Sequence, residues 1–213
     1  LPGFSYYDTQ NGFYIYKNDY ALPMGFTFDT YVSRSQWETY SESDRCNLLL
    51  RALVLEDDTV ETYQNWMQKL PDAVHQMSDE DLLAECTERT KTACDSFTYN
   101  SKGFHATIST DHENLVFFSV PWEEGWSAEV NGKPVSIEKA DVGFMAVPVP
   151  AGDSEITFTY HTPGLKAGAL LSLGGLVLFA GYLTVAGIYN KRHPNPKTES
   201  ICCVDYSTEE TAN

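Results

Sequence analysis

Short alternations of apolar and polar residues fill the second half of this chain until one long apolar run ends them. Phe104-His105-Ala106-Thr107-Ile108 alternates with period two, and Leu115 to Val120 is a dense apolar run. Trp126 to Val130 leads through Asn131-Gly132 into Lys133 to Ile137. Asn-Gly between two alternating runs predicts a hairpin, because both residues tolerate positive φ. Phe144 to Val149 and Glu155 to Tyr160 read as a further pair around Pro150-Ala151-Gly152-Asp153. Short strands with turn signals at this spacing predict an antiparallel β-sandwich.

The first half carries a different rhythm. Residues 12–33, GFYIYKNDYALPMGFTFDTYVS, are rich in Tyr and Phe and broken by Pro23 and Gly25, which predicts two strands joined by a turn. Over 41–55, Leu48, Leu49, Leu50, Leu53 and Val54 recur near helical spacing behind a Ser41–Asp44 capping pattern. A second helix is predicted from Asp58, with Val60, Tyr63, Met67 and Leu70 on one face and Pro71 as its stop. Ser78 caps a third, running through Leu82, Leu83 and Cys86 to about Thr90. The predicted fold class is thus α+β: an antiparallel β-sandwich of jelly-roll or immunoglobulin type with a helical insertion at about 41–92, followed by one C-terminal transmembrane helix.

That last helix comes from Ala167 to Tyr189, AGALLSLGGLVLFAGYLTVAGIY, 23 residues without a charge. At about 1.5 Å per residue the run reaches roughly 35 Å, enough to cross a hydrocarbon core with some tilt. A buried helix of a soluble domain is the alternative, but such helices are usually shorter and polar on one face. The expected division is a domain over 1–163, a span over 165–189 and a tail over 190–213, with Thr162-Pro163-Gly164 as linker. Lys191, Arg192 and Lys197 follow the span, whereas Lys166 alone stands at its entry. Cations near span ends prefer the cytoplasm, so 190–213 is expected inside and 1–163 outside. The chain opens Leu1-Pro2-Gly3-Phe4, without an initiator methionine or an apolar export segment. The expectation is a C-terminal piece of a multi-pass protein, and its partners are its own upstream transmembrane helices; a tail-anchored cytosolic domain is the rival. Gly168-x-x-x-Ser172 and Ala180-x-x-x-Thr184 suit packing against other spans.

Charge changes the picture of partners. Residues 1–163 hold 26 Asp plus Glu against 10 Lys plus Arg, so the whole formal charge of −16 sits there. An acidic domain repels phosphate backbones, which argues against nucleic acid. No D-x-[DN]-x-[DN]-G calcium loop is present, and Glu56-Asp57-Asp58 reads as acids at a helix N-terminus. Cys46, Cys86 and Cys94 allow at most one bridge in the domain, with Cys86 and Cys94 nearest; Cys202-Cys203 lies in the tail. There is no C-x-x-C or Cys/His cluster, and His75, His105, His112, His161 and His193 are scattered, so no metal is expected. No P-loop, G-x-G-x-x-G or G-x-S-x-G appears, so no cofactor is expected either.

The candidate chemistry is Pro121-Trp122-Glu123-Glu124-Gly125-Trp126, two tryptophans flanking two carboxylates in a turn between strands. Aromatic faces stack on the C–H faces of sugars and carboxylates accept bonds from hydroxyls, which makes Trp122, Glu123, Glu124 and Trp126 candidate saccharide contacts. The alternative makes both tryptophans plugs of the sandwich core and leaves the glutamates in water. A glycosidase pair is disfavoured, because neighbours on a strand point to opposite faces.

FFSVPWEEGWSAEVNGKPVSI, VPVPAGDSEITFTYHTPGLKAG and the span after them resemble the C-terminus of the bacterial YfhO family of polytopic membrane proteins. YIYKNDYALPMGFTFD, residues 14–29, is similar to the segment that opens that family's final outer domain; the match over 34–96 is loose. The resemblance implies a multi-span protein of the bacterial cell membrane, related to lipid-phosphate-sugar-dependent glycosyltransferases that decorate envelope polymers such as lipoteichoic acid. Partners would be a cell-envelope glycopolymer or a lipid-linked sugar. The catalytic acid of such enzymes is expected in an early outer loop, so no catalytic residue carries over to this chain. The fragment would assist acceptor positioning or assembly; the alternative is a non-catalytic structural or partner-binding ectodomain.

Overall fold

The computed structural model describes residues 3–71 and 78–193. The chain divides into one unit over Leu1–Pro163 and a second over Gly164–Asn213. The first unit begins with β1 (Phe4–Gln10), β2 (Phe13–Asn18), β3 (Phe26–Thr27) and β4 (Thr30–Ser33). A mainly helical stretch follows: α1 (Arg34–Glu38), α2 (Glu42–Arg51), β5 (Leu53–Leu55), α3 (Asp57–Tyr63), β6 (Gln68–Lys69) and α4 (Asp79–Lys91). Then come β7 (Ser96–Asn100), β8 (Gly103–Thr110), β9 (Asn114–Pro121), β10 (Trp126–Val130), β11 (Lys133–Val135), β12 (Glu138–Ala140), β13 (Phe144–Val149) and β14 (Gly152–Tyr160).

These strands make the expected sandwich. A five-stranded sheet has the order β11-β10-β14-β8-β7, and a seven-stranded sheet the order β3-β9-β13-β12-β5-β4-β6. Alternation decides which side chains meet between them. Phe104, Ala106, Ile108, Ala128, Val130, Ile156 and Phe158 from the smaller sheet pack with Val116, Phe118, Met145, Val147 and Val149 from the larger. The intervening residues Leu115, Phe117 and Ala146 point the other way, into a second core with Phe26, Phe28, Tyr31, Leu53, Leu55, Tyr63 and Met67. The larger sheet is therefore buried on both faces, which is why β9 is apolar at consecutive positions. Each fully buried Phe, Leu or Val in these layers contributes about 1.5–3 kcal/mol relative to exposure.

Several local expectations change on folding. The Asn131-Gly132 hairpin forms, with Val130 opposite Lys133. The pair expected between 144–149 and 155–160 does not: β13 joins β9 and β12, whereas β14 joins β10 and β8. Pro150-Ala151-Gly152 carries the chain from one sheet to the other, an outcome that turn signals share with a hairpin. The helix expected over 41–55 ends at Arg51, and Leu53-Val54-Leu55 becomes a strand buried on both faces and parallel to β4. Three consecutive apolar residues satisfy a doubly covered strand as well as a helix face. Likewise α3 stops at Tyr63, short of Leu70, and Gln68–Lys69 pairs parallel to β4. The caps are as expected: the Ser41 and Ser78 hydroxyls accept from the backbone of Asp44 and Asp81, and Ser78 with Asp81 closes a full capping box.

The largest departure is at the start. Asn11-Gly12, both at positive φ, joins β1 to β2 in a hairpin that forms a sheet of its own. Residues 12–33 thus contain β2 of that hairpin and β3 and β4 of the larger sheet, not one strand pair. Cys46, Cys86 and Cys94 are free thiols. His75, the Cys202-Cys203 pair and most of the tail lie outside the described residues. The second unit holds α5 (Leu165–Arg192), a 28-residue helix long and apolar enough to cross a membrane, with Lys191 and Arg192 in its last turn.

One buried carboxyl ties the larger sheet together. Asp141 and Val142, at φ 44° and 71°, turn the chain between β12 and β13. Asp141 N–H donates to the Val54 carbonyl at 2.9 Å, and Val54 N–H donates back to Asp141 Oδ1 at 2.9 Å. Burial raises the Asp141 pKa to about 7, against the lowering effect of the Val54 bond. The native state therefore holds this proton more tightly than the unfolded chain, so the contribution of Asp141 to stability is fullest near pH 4 and is lost as pH rises to about 7. Asp141→Asn keeps the acceptor and removes the titration. Thermal denaturation of both forms from pH 4.5 to 8 is expected to show the variant gaining on the native chain as pH rises, by roughly 4 kcal/mol at the limit.

Candidate functional site

The turn after β9 and the exit of β14 meet over the β7–β8 hairpin. Glu123 carbonyl accepts from Trp126 N–H at 3.2 Å, closing the turn, and Gly125 carbonyl accepts from His161 N–H at 2.8 Å. A side chain at Gly125 would lie 2.6 Å from the Tyr160 ring and from the His161 carbonyl, so only glycine lets these backbones approach. Opposite, Lys102 N–H donates to Asn100 Oδ1 at 2.7 Å, and Lys102 carbonyl accepts from Tyr160 N–H at 2.7 Å. These bonds hold three separate stretches of chain around one cavity of about 510 Å³.

The cavity has aromatic walls and a polar rim. Phe97, Phe104, Val120 and Trp126 line it with Tyr99, Lys102, Glu123 and Tyr160. Trp126 is half-buried, its ring 5.0 Å from Tyr160, 5.6 Å from Phe104 and 6.1 Å from Phe158. Tyr99, on the edge strand β7, is 84% exposed. Tyr160 hydroxyl donates to Glu123 Oε2 at 2.8 Å. That bond is the main reason the Tyr160 pKa is raised, so the phenol stays a donor. Such a surface can stack on an apolar ring face while Glu123 and Lys102 bond hydroxyls at its edge.

The four candidates read from the sequence separate. Trp126 and Glu123 line the cavity. Glu124 is exposed beside it, and Trp122 lines another depression with Glu56, Thr59 and Lys139. Trp122 is 37% exposed, with Lys139 Nζ 5.8 Å from its ring centre. Phe97, Tyr99, Lys102 and Tyr160 were not among the sequence candidates. They come from 97–104 and 160, and an edge-strand alternation with an outward tyrosine was their one local signal. Glu123 is the carboxylate of this lining, which does not supply the paired acids of a glycosidase. Among the described residues no group of three His, Cys, Asp or Glu could hold a metal ion.

A sandwich with a helical cover, followed by a membrane-length apolar helix, defines the class as a membrane-protein domain of α+β type. Residues 73–172 match the family model for the bacterial membrane protein YfhO. Over that segment the resemblance read from the sequence is borne out. The uncharacterized protein YfhO of Bacillus subtilis (strain 168) is 32% identical over 89 residues, which are 42% of this chain and 10% of that protein. The chain thus spans about a tenth of the length of that relative. No solved structure matches the chain.

Removing the Glu123 charge is expected to return the Tyr160 pKa toward its ordinary value of 10. NMR of ¹³Cζ-labelled tyrosine in the full chain, comparing the native form with Glu123→Gln through an alkaline titration, checks this. An unchanged Tyr160 midpoint contradicts the pairing.

Proposed function

We propose that this chain is the C-terminal part of a multi-pass, glycosyltransferase-like protein of bacterial cell-envelope polymer glycosylation, of the lipoteichoic acid type. Its outer domain positions an acceptor glycopolymer or a lipid-linked sugar rather than performing the transfer. The observation that carries this reading is the aromatic cavity of Trp126, Tyr99 and Tyr160 with the Glu123–Tyr160 pair at its rim. Stacking surfaces and a fixed acceptor are what a pyranose ring with hydroxyls at its edge requires. Tyr160 precedes the membrane helix by five residues, so the tether between cavity strand and span is short. Lys191 and Arg192 at the far end of that helix favour residues 1–163 on the outer side. Lys102 supplies a cation at the rim, where a phosphate of the acceptor polymer or of the lipid-linked sugar would sit against an otherwise acidic domain.

A second reading is favoured by the packing of Trp126 against Phe104 and Phe158 in the sandwich core. On that reading the turn is structural, and the domain braces a membrane bundle or a partner protein without touching saccharide.

The two readings separate on Tyr99 and Glu123, which line the cavity but stand outside the core. Glucose and N-acetylglucosamine oligomers are titrated against the full chain in a detergent without a sugar head group. Tyr99→Ala and Glu123→Gln are each expected to weaken binding about tenfold, or about 1.4 kcal/mol, with an unchanged melting temperature. Trp122→Ala is expected to leave binding intact. Binding absent from the native chain, or unaltered in both cavity variants, favours the bracing role.

A further inference from the structure

The β1–β2 hairpin is unlike the rest of the domain. It is a two-stranded sheet of its own, joined by Asn11-Gly12, and a ribbon of this size is marginally stable alone in water. Its register sorts its side chains. Phe4 faces Asn18, Tyr6 faces Tyr16 and Thr9 faces Tyr14, whereas Ser5 faces Lys17, Asp8 faces Ile15 and Gln10 faces Phe13. Residue pairs share a face, and a bulge at Tyr7 restores the alternation. One face therefore presents Phe4, Tyr6, Tyr14 and Tyr16 without a charge, and Asp8 and Lys17 both lie on the other. The four rings stand free of the body of the domain: Tyr14 is 73% exposed and Tyr6 60%. Tyr6 and Tyr16 pack edge to face at 6.1 Å, and Tyr6 hydroxyl bonds Thr9 Oγ1 at 2.8 Å. The aromatic face is thus ordered within itself but left exposed among the described residues. A contiguous exposed patch of this kind marks an interaction surface.

Charge selects the occupant. Residues 4–18 carry Asp8 and Lys17 and are neutral, so the full −16 of residues 1–163 lies outside the hairpin. A second copy would bring an equal negative charge against the first and is disfavoured. A surface of zwitterionic headgroups brings no net charge against the −16 domain and so imposes no such penalty on a neutral ribbon. Tyrosines of this amphipathic kind concentrate where ring and hydroxyl meet the acyl and headgroup layers together. The same chain holds a helix long and apolar enough to cross a membrane, so a bilayer is a surface available to the chain.

We infer that the uncharged aromatic face of the hairpin, Phe4, Tyr6, Tyr14 and Tyr16, docks into the headgroup–acyl boundary of the membrane that holds the chain. The hairpin then acts as a second, reversible anchor. Its marginal stability in water and its exposed rings are both resolved by lipid.

Tyr14→Trp places a reporter on this face without removing the aromatic ring. The full-length variant and the native chain are reconstituted into zwitterionic phosphatidylethanolamine–phosphatidylcholine vesicles containing lipids brominated near the headgroup end of the acyl chain. The added emission, obtained by subtracting the native tryptophans, is expected to be blue-shifted and quenched at least twofold by the brominated lipid. A Ser5→Trp reporter on the opposite face is expected to emit as in water. Added Tyr14→Trp emission that iodide quenches and bromine does not would overturn the proposal, leaving the face in solvent. Emission shielded from both quenchers would overturn it too, in favour of a protein partner. Unchanged melting temperatures of both variants establish that the reporters sit in folded chains.

Discussion

Phe104 occupies the point on which the sandwich and the cavity both depend. Its ring stacks on Phe158 at 4.3 Å within the smaller sheet and meets Phe118 of the larger sheet at 5.2 Å. The same ring lies 5.6 Å from Trp126 and 5.4 Å from Phe97, both of which line the cavity. Contact between the sheets and the shape of the aromatic wall are therefore set by one packed cluster. Close-packed interiors transmit small displacements instead of absorbing them. The wall of the cavity is built from the rings that also end the core, whereas Tyr99 stands 84% exposed at the rim.

This arrangement explains why the Trp-Glu-Glu-Gly-Trp turn divides its roles. Strand β9 leaves the larger sheet at Pro121, and Trp122 N–H donates to the carbonyl of Gly143, in the turn before β13, at 2.8 Å. By Trp126 the chain has entered the smaller sheet, with Trp126 opposite Tyr160. Trp122 thus stands just past the end of β9 while Trp126, four positions on, opens β10 of the other sheet. Gly125 permits the crossing, since any larger residue would strike the Tyr160 ring. Cavity and core meet at the same turn: Trp126 packs against the core and lines the cavity wall, so its packing alone does not exclude a contact role.

Much of the sandwich was legible because alternation survives in the smaller sheet. Phe104, Ala106 and Ile108 are buried in turn, and Asn131-Gly132 makes the hairpin that its two residues require. The legible signals are local ones. Leu53-Val54-Leu55 satisfies a helix face and a doubly buried strand alike, and only the parallel pairing with β4 decides between them. Pro150-Ala151-Gly152 marks a turn but does not say whether the next strand returns to the same sheet. The Asn11-Gly12 hairpin was readable by the rule that found Asn131-Gly132, but aromatic density without alternation obscured its strands. Within the candidate site, Glu123 and Trp126 share one visible motif. Tyr99, Lys102 and Tyr160 reach it through β-sheet pairing across about sixty residues of chain, which no local pattern encodes.

The most direct test of the cavity as a saccharide contact is a residue-by-residue NMR map of the full chain in lipid nanodiscs, recorded as an N-acetylglucosamine oligomer is added. The account predicts saturable shift changes confined to Tyr99, Lys102, Glu123, Trp126 and Tyr160. Changes centred on Trp122 and Lys139, or no saturable change anywhere in residues 3–163, would contradict it.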